Sequence, residues 1–143
     1  MKKFLLDTHA WFRIANNEAA FSKKIIEQIN LSAENEQLFI ASITLWEIAM
    51  LEAKNRIKLT PHCLHWIQEA IHLTAVQILD LNSTISVESC NLPENFHQDP
   101  ADRIIVATAR VHDLCLVTAD KAILQYAKQH QYIKTLAIHT QKT

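Results

Sequence analysis

The chain has 143 residues, 49% of them hydrophobic, and a formal net charge of −1. That length gives one domain with a sizeable core, and that hydrophobic share excludes general disorder. The near-neutral charge excludes a broad basic surface, so any contact with nucleic acid must be local or metal-mediated.

In chain order, Phe4-Leu5-Leu6 reads as a short buried strand ending at Asp7, and Thr8 to Ile14 begins a helix. Ser22 is placed to cap a second helix, with Ile25, Ile26 and Ile29 as its inner stripe. Leu38 to Ala41 is the second strand, and Ser42 is expected to cap a helix carrying Ile43, Trp46, Met50 and Ala53. Basic Lys54, Arg56 and Lys58 follow it. Pro61 is expected to open a further helix with Leu64, Ile67 and Ile71 inward. Val76 to Leu79 is the third strand, Asn82 to Asn91 a short helix, and Leu92 to Gln98 a loop.

Phe96 to Asp120 is the most informative stretch. Pro100 suits a first helical turn, where its missing N–H is not needed. Ile104, Ile105, Ala107, Thr108 and Val111 then give a helical stripe. Cys115 to Thr118 is the short apolar run of a strand buried on both faces. Asp120 opens a helix to about Gln129, and a last strand near Thr135 to Ile138 closes the domain. Strands alternating with helices imply one three-layer α/β/α domain over residues 1–143, with a central parallel sheet of four or five strands. No repeat, low-complexity segment or linker interrupts it.

No apolar run is long enough to span a membrane, and Met1-Lys2-Lys3 leads into a strand of a few residues rather than a signal peptide. Cys63, Cys90 and Cys115 share no CxxC spacing, and an odd count argues against a disulfide framework, so a reduced cytoplasmic setting is expected. The chain contains no glycine, which excludes the glycine-rich phosphate loops of Walker and dinucleotide type. Left-handed turns must fall to Asn or Asp, and Asn55, Asn91 and Asp113 stand where helices are expected to end.

Asp7 ends the first strand, Asp102 opens a helix, and Asp120 stands just past the strand that follows. In an open α/β sheet, ligands bind at the carboxyl ends of the strands. Glu47 lies on the apolar stripe of its own helix, where a carboxylate is costly unless it is paired or binds a cation. Four acids meeting in one cleft suit hard divalent ions, which take oxygen ligands and activate water for phosphodiester hydrolysis. Taken singly, each acid also has a structural role: Asp7 and Asp120 as helix caps, Asp102 against a helix dipole, Glu47 leaning into solvent. Asp99 reads as a turn or cap residue before Pro100, and Asp80 as a cap.

The segments FLLDTHAWF, SITLWEIAMLEAKNRIKL and FHQDPADRIIVATARVHDLCLVTAD, in that order, resemble the PIN-domain ribonucleases, and among them the VapC-type toxins of bacterial toxin–antitoxin pairs. The similarity covers nearly the whole chain, and the combination LLDTH, WEI, HxDPADR and LVTAD carries it. The family's acidic site falls on Asp7, Glu47, Asp102 and Asp120, and its hydroxyl residue in the last motif falls on Thr118. Where the family often has glycine, after the WEI helix and before the LVT strand, this chain has Asn55 and Asp113.

The resemblance implies a PIN-like fold and a Mg²⁺- or Mn²⁺-dependent endoribonuclease that leaves a 5′ phosphate and a 3′ hydroxyl on its RNA substrate. It implies Asp7, Glu47 and Asp102 as direct or water-mediated metal ligands and Asp120 as the second-metal or water-positioning acid. Thr118 would orient Asp120 or a metal-bound water. It also implies a homodimer and a cognate antitoxin lying over the acidic cleft. Rival readings are a non-catalytic RNA-binding or adaptor domain of the same fold, and a phospho-acceptor signalling domain, against which Asp7 stands alone, Asp80 is a poor acceptor and no Lys directly follows the fifth strand.

Other residues carry weaker signals. His62-Cys63-x-His65 lacks four-ligand zinc spacing and reads as a surface helix. His9 and His97 flank the acid motifs and are expected to make local hydrogen bonds or touch phosphate. Lys54, Arg56 and Lys58 suit either a helix C-terminus or an RNA backbone. Arg103 is expected to pair with Asp99. Trp11, Trp46 and Trp66 are expected as core or interface anchors.

Overall fold

A computed structural model gives the fold for residues 2–18, 21–93 and 95–138; residues 1, 19, 20, 94 and 139–143 of the predicted domain lie outside the described residues. Strands β1 (Phe4–Leu6), β2 (Leu38–Ala41), β3 (Gln77–Leu79), β4 (Cys115–Thr118) and β5 (Lys134–Ala137) form one sheet in the order β3-β2-β1-β4-β5. Every neighbouring pair is parallel, so the predicted sheet has five strands. The third strand starts at Gln77 rather than Val76, which is buried just before it.

Seven helices connect and flank the strands: α1 (Thr8–Ala15), α2 (Lys23–Glu34), α3 (Ser42–Ala53), α4 (Cys63–Thr74), α5 (Ser83–Cys90), α6 (Pro100–Val111) and α7 (Lys121–His130). Alternation along the strands sorts the core into two layers. Phe4, Leu6, Leu38, Ile40 and Val117 pack with Ala10, Trp11, Ile29 and Ala70 from α1, α2 and α4. Leu5, Ala41 and Leu116 pack on the other face with Ile85, Ile105, Val106, Ile123 and Tyr126 from α5, α6 and α7. The three layers are those predicted.

Several local expectations are corrected. Ser42 is the first residue of α3 and not its cap; the cap position is Ala41, and the Ser42 hydroxyl instead accepts the Leu81 N–H at 3.2 Å, tying α3 to the end of β3. Pro61 does not open α4, which starts at Cys63 with His62 as its cap. Leu64 is 62% exposed, and Trp66, Ile67, Ala70 and Ile71 form the inner face of α4 instead. Trp46 is 58% exposed and so is no core anchor, whereas Trp11 is fully buried and meets Trp66 edge-on at 5.6 Å. Asp80 caps nothing, because α5 takes Asn82 as its cap. Asn55 and Asp113 adopt the left-handed conformation as expected, but Asn91 does not. Asn17, Glu36, Ala75 and Gln131 carry further left-handed turns that a chain with glycine would place on that residue.

The strand order reverses between β1 and β4: β2 and β3 lie on one side, β5 on the other. This is a topological switch point, where the connections leaving neighbouring strands diverge and open a crevice at the carboxyl rim. Leu6 stands opposite Val117, so the next residues, Asp7 and Thr118, sit side by side at that rim. The Asp7 N–H donates to the Val117 carbonyl at 3.1 Å, extending the ladder to the crevice.

Candidate active site

Asp7 leaves β1 and caps α1, and only 7% of its surface is exposed. Its Oδ1 accepts the Ala10 N–H at 2.8 Å and its Oδ2 accepts the Thr118 hydroxyl. Thr118 also accepts the Asp120 N–H at 3.0 Å, so one buried hydroxyl links the two strand-end acids. Asp120 caps α7, its Oδ1 accepting from Ala122 and Ile123 at 2.8 and 3.1 Å. Capping and site placement are therefore not alternatives: the same bonds that start α1 and α7 fix where Asp7 and Asp120 stand.

Glu47 is half-buried on α3 and accepts the Thr8 hydroxyl, which itself lies 3.1 Å from the Thr44 hydroxyl. The solvent-facing reading of Glu47 does not hold; the carboxylate reaches across to the first turn of α1. Thr8 and Thr44 were not singled out from sequence. The available signal was the hydroxyl residue directly following the strand-end acid, which places Thr8 in the first turn of α1 at the rim.

Asp102 lies in the first turn of α6, behind the cap formed by Asp99, whose Oδ1 accepts the Ala101 N–H at 3.0 Å. Asp102 Oδ2 lies 3.3 Å from His97 Nε2. Arg103, expected to pair with Asp99, does something else. Its guanidinium donates to three backbone carbonyls, those of Ser89 at 2.9 Å, Phe96 at 3.0 Å and His97 at 3.2 Å. It pins the segment before α6 against the end of α5, which sets His97 beside Asp102.

The electrostatics show that the acids share one space. Burial, followed by the charges of Asp99, Asp120, Glu47 and Asp7, pushes the Asp102 carboxyl up to about 7. Burial raises Asp7 despite the Thr118 and Ala10 hydrogen bonds, and the charge of Asp120 adds to it. Burial raises Glu47 against the Thr8 hydrogen bond, with Asp99 and Asp7 adding. Hydrogen bonds link Asp7, Thr118 and Asp120, Glu47 meets Thr8 next to Asp7, and Asp102 feels the charges of Asp120, Glu47 and Asp7. Exposed His9 on α1 lowers both Asp7 and Glu47 by its charge.

The donor set fits a hard divalent cation: it is all oxygen, mostly carboxylate, and mutually repelling. Among the described residues no three carboxyl, imidazole or thiol side chains are closed into a group able to hold a metal ion as they stand. Asp7 is instead bonded to Thr118, Glu47 to Thr8, and Asp102 lies beside His97. Asp80, by contrast, is exposed past the edge strand. The zinc reading of His62 fails for a local reason: its Nδ1 accepts the His65 N–H at 3.4 Å as the α4 cap.

A doubly wound α/β/α sheet with an acid-lined crevice at its switch point defines a class of carboxylate-site domains. The chain belongs to the PIN domain family, whose model matches residues 4–129. It is 32% identical over 124 residues to Ribonuclease VapC22 of Mycobacterium tuberculosis, covering 86% of this chain and 91% of that protein. Its fold is similar to that of the DNA-bound VapBC from Salmonella typhimurium, with a TM-score of 0.69 and 20% identity over 96% of this chain and 98% of that one. VapBC2 from Rickettsia felis, bound to a promoter DNA fragment, gives 0.68 and 17% over 94% and 97%. PIN membership displaces the phospho-acceptor reading.

Proposed function

We propose that this chain is a metal-dependent endoribonuclease, the toxin of a toxin–antitoxin pair. What supports the reading is that a chain 32% identical to Ribonuclease VapC22 links Asp7, Thr118 and Asp120 by hydrogen bonds at one rim, with Asp102 feeling the charges of Asp120, Glu47 and Asp7. Asp7, Glu47 and Asp102 are the residues that would hold a Mg²⁺ or Mn²⁺ ion, with Asp120 as a further ligand or water-positioning acid. When bound, the ion supplies charge for the scissile phosphate and lowers the pKa of the attacking water.

The chain's own residues prepare that site. Thr118 donates to Asp7 Oδ2 and accepts from the Asp120 backbone, holding the two acids in fixed relative position. Thr8 orients Glu47, and His97, held by the Arg103 clamp, orients Asp102. The raised carboxyl of Asp102 means that a proton and a cation compete for the same oxygens near neutral pH.

The partners follow the same support. The Salmonella and Rickettsia neighbours are VapBC assemblies, which supports a cognate antitoxin, and we place that antitoxin over the cleft. Trp46, Ile78, Leu81 and Val87, on or beside α3, β3 and α5, are exposed apolar side chains that give a homodimer surface to bury. No helix among the described residues is long and apolar enough to cross a membrane, and we place the protein in the cytoplasm with its RNA substrate.

The test is sequencing of RNA ends after induced expression in a host lacking the antitoxin. New, discrete 5′-phosphate ends that vanish when the antitoxin is co-expressed are the expected result. An end profile unchanged by induction would defeat the reading.

A further inference from the structure

Beside the acid crevice lies a second cavity of about 420 Å³, between the segment Asn95–His97 and one face of α7. Its described walls carry the side-chain amides of Asn95, Gln125 and Gln129 and the imidazoles of His97 and His130, and among the described residues no lysine, arginine or carboxylate lines it. The rings of Phe96 and Tyr126 also line it, 4.8 Å apart and nearly edge-on. Tyr126 is buried, and its hydroxyl donates to the Pro93 carbonyl at 2.7 Å. His97 stacks on Phe96 at 4.3 Å with a tilt of 31°, and His130 lies 5.0 Å from Tyr126.

His97 belongs to both spaces. Its Nδ1 accepts the Asp99 N–H at 3.4 Å and its Nε2 faces Asp102 at 3.3 Å, contacts that suit one tautomer and fix the ring as a wall between crevice and cavity. A group in the cavity is therefore adjacent to whatever occupies the crevice.

The chemistry of the walls selects the ligand. A phosphate is held best by lysine or arginine, and among the described residues the walls offer neither. Amides supply a donor and an acceptor each, and imidazoles offer a flat π face with a polar edge. Gln125 and Gln129 stand four residues apart on α7, one above the other on the same face. Uncharged donor–acceptor pairs beside aromatic planes are the means by which proteins bind unpaired nucleobases. An antitoxin side chain is the rival occupant, but among the described residues the walls offer it no lysine, arginine or carboxylate to pair with.

We propose that this cavity is a nucleobase subsite, which takes one unpaired base of the RNA next to the scissile phosphate and so selects where the chain cuts. The proposal rests on the ribonuclease reading. Gln125 and Gln129 read the base edge, and His97 supplies the stacking face.

The test uses short single-stranded RNAs carrying a sequence that the wild-type protein cuts, in versions with each base near the cut changed or removed as an abasic residue. Wild type should lose about tenfold in kcat/KM when one particular base is removed, the scale of a lost bidentate base contact. The double variant Gln125→Ala/Gln129→Ala should show almost no penalty for that same removal, with an unchanged melting temperature and unchanged metal requirement. Single variants, measured in parallel, should each retain part of the preference. A double variant that keeps the wild-type penalty would overturn the subsite while leaving the nuclease reading intact. So would variants that weaken antitoxin binding but leave base preference alone. A wild-type protein that cuts none of these RNAs, nor total RNA, would overturn both.

Discussion

The Thr118 hydroxyl donates to Asp7 across a separation of 111 residues, and its oxygen accepts the Asp120 N–H. The side chain is fully buried on β4, next to the β1 terminus that carries Asp7. Removing it should uncouple the two strand-end acids. Thr118→Val keeps the shape and deletes the hydroxyl, leaving a buried carboxylate without its donor. The expected cost is about 1–3 kcal/mol in urea unfolding, with RNA cleavage reduced by at least about tenfold, since mispositioning of ligands is costly. Thr118→Ser should restore most of both.

Metal-free stability should fall as pH rises. The folded-state pKa of Asp102 is raised from 3.8 to about 7, so folding favours its protonated form. Such a group contributes stability that is complete below the unfolded value and is lost as pH rises through the folded value. Asp7 and Glu47 are raised too and act in the same direction. In chelator, the wild-type melting temperature should drop between about pH 5 and about pH 8, and the drop should be smaller by about 3–5 °C in Asp102→Asn. The stabilising shift from Mn²⁺ should grow over the same range, because protons and metal compete for the carboxylates.

Arg103 should behave as a clamp rather than an ion-pair partner. Its donors reach three carbonyls in two segments, a geometry that a lysine ammonium cannot reproduce. Arg103→Lys is expected to cost about 2 kcal/mol and to speed amide hydrogen exchange in the segment before α6 without changing exchange in β1 or β4. Uniform loss of protection throughout the molecule would argue for a general folding defect instead.

The frame of the site was readable in sequence because short apolar runs announce buried strands, and Asp7 and Asp120 end two of them. Asp102 was readable because Pro100 marks the start of α6. What sequence could not supply were the contacts made across elements. The Thr8–Glu47 bond depends on how α1 meets α3. The Arg103 clamp was illegible because its acceptors are backbone carbonyls, which every residue has. Sequence could not choose between core and interface for Trp46, because an apolar stripe shows that a helix has a face to bury, not whether its own chain covers that face. Ser42 sat at the expected helix start, but its hydroxyl found the Leu81 amide of a segment distant in sequence.

Exposed apolar side chains near the β3 edge should be covered by a second copy. Trp46→Glu is expected to convert a dimer to a monomer in light scattering at micromolar concentration, with a change in melting temperature that depends on protein concentration in wild type only. A wild-type monomer at that concentration would remove the dimer.

The central claim is that the four acids form a metal-dependent hydrolytic site, and cleavage of end-labelled RNA by the purified protein tests it most directly. Wild type, Asp7→Asn and Asp102→Asn are compared with Mn²⁺ and with chelator. The account predicts cleavage by wild type with metal only, giving 5′-phosphate and 3′-hydroxyl ends, and a loss of at least about 100-fold in either variant. Equal cleavage in chelator, or an Asp102→Asn protein that cuts at the wild-type rate with metal, would contradict it.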